Sequence, residues 1–250
     1  MIPWPSRLSY FYKGAILSYR NGEGGPLAAN IGVRVAMSRE NCLEGLIGQI
    51  VADPALHARW LNTFSFLEYV GFRKIVKSQR AEALTAGILG HACEEGRHAL
   101  GLKKLAMKLG GAAFDSYAPD VLLCGEEAEA YFQDLDQFCD EAFADRSAEE
   151  RVRLAYGYVT WLIERRALSV YGVYRNALGD SEIARKLGGL LAEETKHLTD
   201  IEAFLQAFDP QFARKSKELE AVETALYEGF LTSLTRALTQ AKPVAAAVAH

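Results

Sequence analysis

The sequence predicts an all-α protein: four long helices bundled as two antiparallel hairpins joined by a crossover, with further helices at both ends. Three observations carry this. Alternating Val/Ile/Thr runs bounded by Asn-Gly or Asp-Gly turns are nearly absent. Long stretches instead keep helical spacing and are separated by cap residues and Gly or Pro breaks. The second and third of these stretches are joined by a connection from Ala112 to Asp145, far longer than a hairpin turn.

In chain order, the first 30 residues are aromatic and close on a Gly-rich break, Asn21 to Pro26. A short helix is expected from about Ser38 to Val51. Asp53-Pro54 reads as an N-cap followed by Pro at the first helical position, and opens a helix from about Pro54 to Ser78. A second helix is expected from about Ala81 to Leu109, with Gly110-Gly111 supplying a left-handed stop. The connection carries its own helix, about Gly125 to Phe143. Ser147 with Glu150 is a capping box opening the third long helix, about Ala148 to Leu178. Gly179-Asp180-Ser181 makes a turn and the cap of the fourth, about Glu182 to Phe208, which Asp209-Pro210 ends. A last helix, about Phe212 to Gln240, precedes an Ala-rich tail expected to fray. Residues 1–250 are read as one domain: a bundle over about 54–208, an N-terminal helical extension over about 1–52 and a C-terminal helix over about 212–240.

The composition fits a globular chain. Half the residues are hydrophobic, 24% are charged and the mean hydropathy is -0.03, which supplies a core and argues against disorder. A net charge of -4 leaves no basic footprint for nucleic acid. Cys42, Cys93, Cys124 and Cys139 lack CxxC spacing, which argues against zinc ribbons and rubredoxin-type iron sites and fits a reducing compartment. With no signal-peptide pattern at Met1–Arg7 and no apolar run of membrane-span length, the expectation is a cytoplasmic protein. Trp4, Tyr10, Phe11, Tyr12 and Tyr19, with Arg7, Lys13 and Arg20, suit a lid or an oligomer contact, such as a homodimer, better than a membrane surface.

Chemistry concentrates in two copies of one pattern. Glu94-Glu95-Gly96-Arg97-His98 lies on the second long helix and Glu193-Glu194-Thr195-Lys196-His197 on the fourth. Each holds Glu-x-x-His, whose carboxylate and imidazole share a helix face. An acid–acid–x–base–His string once per hairpin has the form of a pseudo-two-fold repeat. The other two helices each carry a lone acid in an apolar run, Glu68 and Glu164, and such a residue is costly to bury unless it is paired or bound to metal. The heights agree: Glu68 and Glu95 lie about 12 and 14 residues from the first turn, Glu164 and Glu194 about 15 and 14 from the second. Four Glu and two His then converge in the core. That donor set suits iron or manganese, and two divalent cations cancel four carboxylates. Surface Glu-x-x-His pairs with stray acids would leave Glu68 and Glu164 unexplained.

This set resembles the ferritin-like di-iron carboxylate superfamily, in which two helices supply one Glu each and two supply Glu-x-x-His. The resemblance covers about Pro54 to Phe208. It implies a ferritin-like four-helix bundle with two iron ions, or a manganese–iron or manganese pair, held by Glu68, Glu95, His98, Glu164, Glu194 and His197. The larger oxygenases of the superfamily carry Asp-Glu-x-Arg-His, whose leading acid bonds a ligand His across the site. Here Glu94 and Glu193 hold that position, so Glu193 is expected to orient His98 and Glu94 to orient His197, with Arg97 and Lys196 balancing charge. Glu for Asp is a departure, and plain solvent-facing acids are the competing reading.

An apolar pocket beside the metals is expected from Phe64, Phe72, Gly87, Trp161 and Leu168, with Gly71 opening backbone space one turn from Glu68 and Gly157 leaving room seven residues before Glu164. His91 stands on the face of Glu95 and could line the site, though a core or surface His is the blander reading. Tyr171 faces the site from seven residues after Glu164, and core packing competes with a redox or hydrogen-bonding role for it and for Tyr69. Tyr156 and Tyr158 are expected to pack on other helices, and Cys93 to be a packing thiol.

The function this implies is an oxygen-activating oxidase or oxygenase for a small, mostly apolar organic substrate, using oxygen or peroxide and an external electron donor, since no flavin, NAD or iron–sulfur signature is present. The compact length is similar to that of the aldehyde-deformylating oxygenases. A ferroxidase or peroxide scavenger of ferritin or rubrerythrin type is the alternative, and a non-catalytic interaction protein with a structural metal the third reading. Leu102 stands where ribonucleotide reductase radical subunits carry their tyrosine, and Leu168 where some monooxygenases carry Thr.

Overall fold

Helix α1, residues 42–52, buries Leu43, Leu46, Ile47 and Ile50, an i, i+3, i+4, i+7 stripe that faces the core of the computed structural model. The structure describes residues 42–78, 81 and 84–241; the N-terminal aromatic segment and the tail from residue 242, with the expectations that fall on them, lie outside the described residues. Six further α-helices follow among these residues: α2 (Pro54–Ser78), α3 (Ala86–Gly110), α4 (Gly125–Glu141), α5 (Ala148–Ala177), α6 (Glu182–Phe208) and α7 (Phe212–Ala241). No strand occurs among the described residues, and they belong, after Cys42, to one unit, Leu43–His250.

The caps account for the helix boundaries. Asp53 Oδ1 accepts from the N–H groups of Ala55 and Leu56 at the start of α2. Ser147 and Glu150 form the reciprocal capping box of α5, and Ser181 accepts from Ala184 N–H at the start of α6. Helix α3 begins at Ala86 rather than near Ala81, because extended Thr85 takes the N-cap and accepts from Ile88 N–H. Gly111 does end α3, with φ 84° but ψ -169°, so it is not the left-handed helical stop the sequence predicts. Helix α4 stops at Glu141, two residues short of the expected Phe143, which is fully buried in the turn that follows.

Helix α2 packs along α3 and α5 along α6; α3 touches α6, and α4 lies against α7, α5 and α2. The irregular stretch between α3 and α4 would carry unpaired backbone groups if it were simply laid over the helices. Polar side chains of α2 satisfy them. Asn62 Nδ2 donates to the carbonyls of Ser116 and Val121, Arg59 donates to Leu122 O, and the Thr63 hydroxyl both donates to Leu123 O and accepts from Leu123 N–H. Lys103 of α3 completes the clamp, donating to Asn62 Oδ1 at 2.7 Å and to Ser116 O at 2.7 Å. Asn62, Thr63 and Ser65 are wholly buried, and these bonds account for three polar residues within four positions on the core side of α2. Replacing Asn62 with Leu leaves two carbonyls and the Lys103 ammonium short of partners. It is expected to cost about 3 kcal/mol of unfolding free energy in a urea titration.

Candidate metal centre

Four helices supply the donors: α2 carries Glu68, α3 carries Glu95 and His98, α5 carries Glu164, and α6 carries Glu194 and His197. Ligand atoms of Glu68, Glu95, His98 and Glu194 lie within 4.8 Å of one another, and so do those of His91, Glu95, Glu164 and His197. Glu95 belongs to both groups. Glu194 also reaches both ways, with Oε1 2.9 Å from His98 Nδ1 and Oε2 3.2 Å from His197 Nδ1. Glu164 and Glu194 are 4% and 2% exposed, a depth at which carboxylates need partners. Gly71 makes the room: a Cβ there would stand 3.0 Å from Glu95 Oε2.

The imidazoles are held from outside. His98 Nε2 lies 2.8 Å from Glu193 Oε2 and His197 Nε2 lies 2.6 Å from Glu94 Oε2, so each leading acid reaches the His of the other motif. A ring N–H donated to these carboxylates leaves each Nδ1 lone pair facing the donor cluster. Glu94 and Glu193 remain part-exposed at their outer edges, where Arg97 makes a two-pronged bond to Glu193, 3.0 Å on each arm. Lys196 does not share in this; it pairs with Asp200 one turn along α6 and faces solvent. At Glu68, the Tyr171 hydroxyl donates to Oε1.

The charges of this cluster are strongly coupled. Burial, then Glu68 and Glu194, push the Glu95 carboxyl well above its ordinary range; burial and the same crowding, led by Glu194, do so for Glu164. Burial opposes the charge on Glu194, but the hydrogen bond from His197 and the nearby His98 imidazole outweigh it and hold the carboxyl low. Burial likewise opposes charge on His98, yet Glu194 and Glu68 push it up to about 11, while burial and His197 bring His91 down to about 4. Tyr171 is pushed up by burial and by Glu68, so it stays a donor.

Two atoms test whether cations fit. His98 Nδ1 and Glu194 Oε1 face each other, shut from solvent, but are not aligned as a hydrogen bond, and neither has a hydrogen-bonding partner. Buried polar atoms are almost always satisfied. Two facing orphans inside a nest of carboxylates fit a divalent cation, and the oxygen-rich, imidazole-bearing set fits iron or manganese.

An apolar cavity opens from this cluster beneath α4 and α7, lined by Phe64, Leu67, Ile163, Val170 and Phe230 as well as by Glu68, Glu95, Glu164 and Glu194. It is a narrow cavity of about 120 Å³, the scale of one small apolar molecule. A wider cleft approaches from the opposite side, between α3, α5 and α6, and reaches His91 and His197. His91, Tyr156 and Thr160 line both spaces.

Of the residues expected in the pocket, Phe64, Gly71, His91 and Tyr171 line the cavity, and Gly87 lines only the cleft. Four lie elsewhere. Phe72 packs on Gly96 of α3; Gly157 admits Leu205 so that α5 and α6 can close; Trp161 packs on Phe212 and donates to Glu202; Leu168 lines neither space. Tyr158 packs as expected, bonded to Asp209, and Tyr69 stacks on Tyr117. Cys93 is exposed, not packed. Tyr156, expected to pack elsewhere, sets its hydroxyl 3.0 Å from His91 Nδ1. Thr160 and Tyr156 stand four and eight residues before Glu164, a helical spacing that marks both for its face.

The shifts fix a pH dependence. Glu95, Glu164 and His98 hold protons in the folded chain at pH values where the unfolded chain has released them, so their contribution to stability is present at low pH and lost as pH rises. His91, shifted down, is neutral in both states above about pH 7.5 and drops out. Burial brings Lys74 and Lys103 down to about 8, which acts the other way above that pH, so protein stripped of divalent metal is expected to melt progressively lower from about pH 6.5 to pH 8, and saturating Mn(II) to flatten that slope in scanning calorimetry. Compared with known proteins, the chain matches no family model and gives no significant match to a curated protein or a solved structure.

Proposed function

We propose that this chain is an oxygen-activating di-iron, or manganese–iron, oxidoreductase with a ferritin-like four-helix bundle, acting on a small, mostly apolar organic substrate. One observation carries the reading: two donor groups from four helices share Glu95 and open directly onto an apolar cavity. Glu68, Glu95, His98, Glu164, Glu194 and His197 would hold the metals, which when bound supply the electrons and the Lewis acidity for reaction with oxygen or peroxide. The chain's own residues do the rest. Phe64, Leu67 and Val170 exclude water and accept an apolar body. Tyr171 keeps its proton and fixes the rotamer of Glu68. The charged groups that line the cavity away from the donors are neutralised, Lys74 by Asp136 and Arg166 by Glu223, which disfavours a charged substrate. Reducing equivalents would come from an external donor, and the setting would be cytoplasmic.

A ferroxidase is the second reading, carried by the open polar cleft that reaches His91 and His197, a route wide enough for hydrated ions although its Glu149 and Asp200 are paired with Arg153 and Lys196. Elemental analysis of aerobically produced protein is expected to find about two iron or manganese ions per chain, and Glu164→Ala to lose at least one of them. Zinc alone, with no oxygen consumption on adding Fe(II), would overturn both redox readings. Rapid Fe(II) turnover with mineral deposition would select the ferroxidase.

A further inference from the structure

The two motifs align as His91-Ala92-Cys93-Glu94-Glu95-Gly96-Arg97-His98 against Leu190-Leu191-Ala192-Glu193-Glu194-Thr195-Lys196-His197. The repeat is symmetric in its acids and terminal imidazoles but breaks at its first position, where one copy has His and the other a buried Leu. We propose that His91 is a seventh metal donor, which makes one of the two metal positions richer in nitrogen and so forces the metals to be inequivalent and to load in order. This rests on the dinuclear reading above and goes beyond its six donors.

Three observations carry it. His91 Nε2 lies 3.1 Å from Glu95 Oε1 and 3.4 Å from Glu164 Oε1, within the donor group that also holds His197. The opposite nitrogen, Nδ1, is 3.0 Å from the Tyr156 hydroxyl. A ring N–H given to that oxygen leaves the Nε2 lone pair turned inward. This is the arrangement that Glu193 imposes on His98 and Glu94 on His197, so all three imidazoles are gripped at the outer nitrogen and offer the inner one. Finally, the ring of His91 lies against that of His197, centroids 4.5 Å apart, which brings two imidazoles to one side of the cluster and leaves one on the other.

The consequence is chemical asymmetry. One position has His91, His197, Glu164 and the shared Glu95; the other has His98 and the carboxylates Glu68, Glu95 and Glu194. Imidazole favours later divalent metals more strongly than carboxylate does. Iron or cobalt therefore fills the two-imidazole position first, and manganese is best tolerated in the carboxylate-rich one. Tyr156 is the positioning residue for this donor, acting through His91 rather than on the metal.

Anaerobic titration of the metal-stripped full chain with Co(II) tests the proposal, read by calorimetry and by the visible d–d bands. Wild-type protein is expected to take two ions in two resolved steps. His91→Ala is expected to weaken the tighter step about 10- to 100-fold, leave the other in place and alter the bands of the first ion; added imidazole should restore them. Tyr156→Phe should weaken the same step by a smaller factor. Two ions bound by wild type in equivalent steps, or a His91→Ala titration and spectrum indistinguishable from wild type, would overturn the role of His91 and leave the dinuclear site standing. Wild-type protein that binds no Co(II) would instead overturn the dinuclear reading itself, and His91 as a donor with it.

Discussion

Four carboxylates drawn into one dry interior are the constraint on which the rest of the molecule depends. Glu68, Glu95, Glu164 and Glu194 come from four different helices, and their charges repel at distances where little water remains to screen them. No arrangement of apolar side chains can offset that repulsion. It must be met by protons, by cationic imidazoles or by metal ions. The upward shifts of Glu95, Glu164 and His98 are the proton solution; the orphaned His98 Nδ1 and Glu194 Oε1 mark where cations would serve better.

That constraint reaches outward into the packing. Helices α3 and α6 touch only lightly along their backbones compared with α2 and α3, yet their motifs are cross-linked twice, by Glu193 to His98 and by Glu94 to His197. The same bonds that fix each imidazole therefore tie one helix pair to the other. Both acids are about two-fifths exposed, so each bond gains less from Coulomb attraction than a buried one would, but each also avoids most of the desolvation cost. The site and the helix–helix contact are one structure, and weakening either loosens the other.

Much of this could be read from residues alone, and what could not has a physical reason. Capping chemistry is local, so Asp53, Ser147 and Ser181 marked three helix starts correctly, while Thr85 was passed over for a break nearer Ala81. Glu-x-x-His is also local, since i and i+3 share a face wherever the helix goes. The cavity walls are not local. Phase on one helix states which direction a residue points but not which neighbour it meets, so Gly157 and Trp161, counted from Glu164, point between α5 and its packing partners rather than into the cavity. His91 had the right phase from the start. What the chain alone could not show was that Tyr156, 65 residues on, would hold its outer nitrogen.

The two spaces beside the cluster give its asymmetry a direction. The cavity beneath α4 and α7 is apolar, whereas the cleft between α3, α5 and α6 is bordered by Glu94, Arg153, Lys196 and Asp200. His91, Tyr156 and Thr160 form the wall between them. An apolar molecule partitions to the first side and a hydrated ion or polar reductant to the second, by transfer free energy alone. His91 and His197 of the nitrogen-rich half line the cleft, whereas Glu68 and Tyr171 line the cavity, which His91, Glu95 and Glu164 border as well. A residue that joined the two motifs symmetrically would have left both halves alike. With His91 opposite Leu190, the halves differ in ligand chemistry, and the half that holds His91 and His197 is also the one that meets the cleft, so one break in a repeat makes the cluster unlike on its two sides.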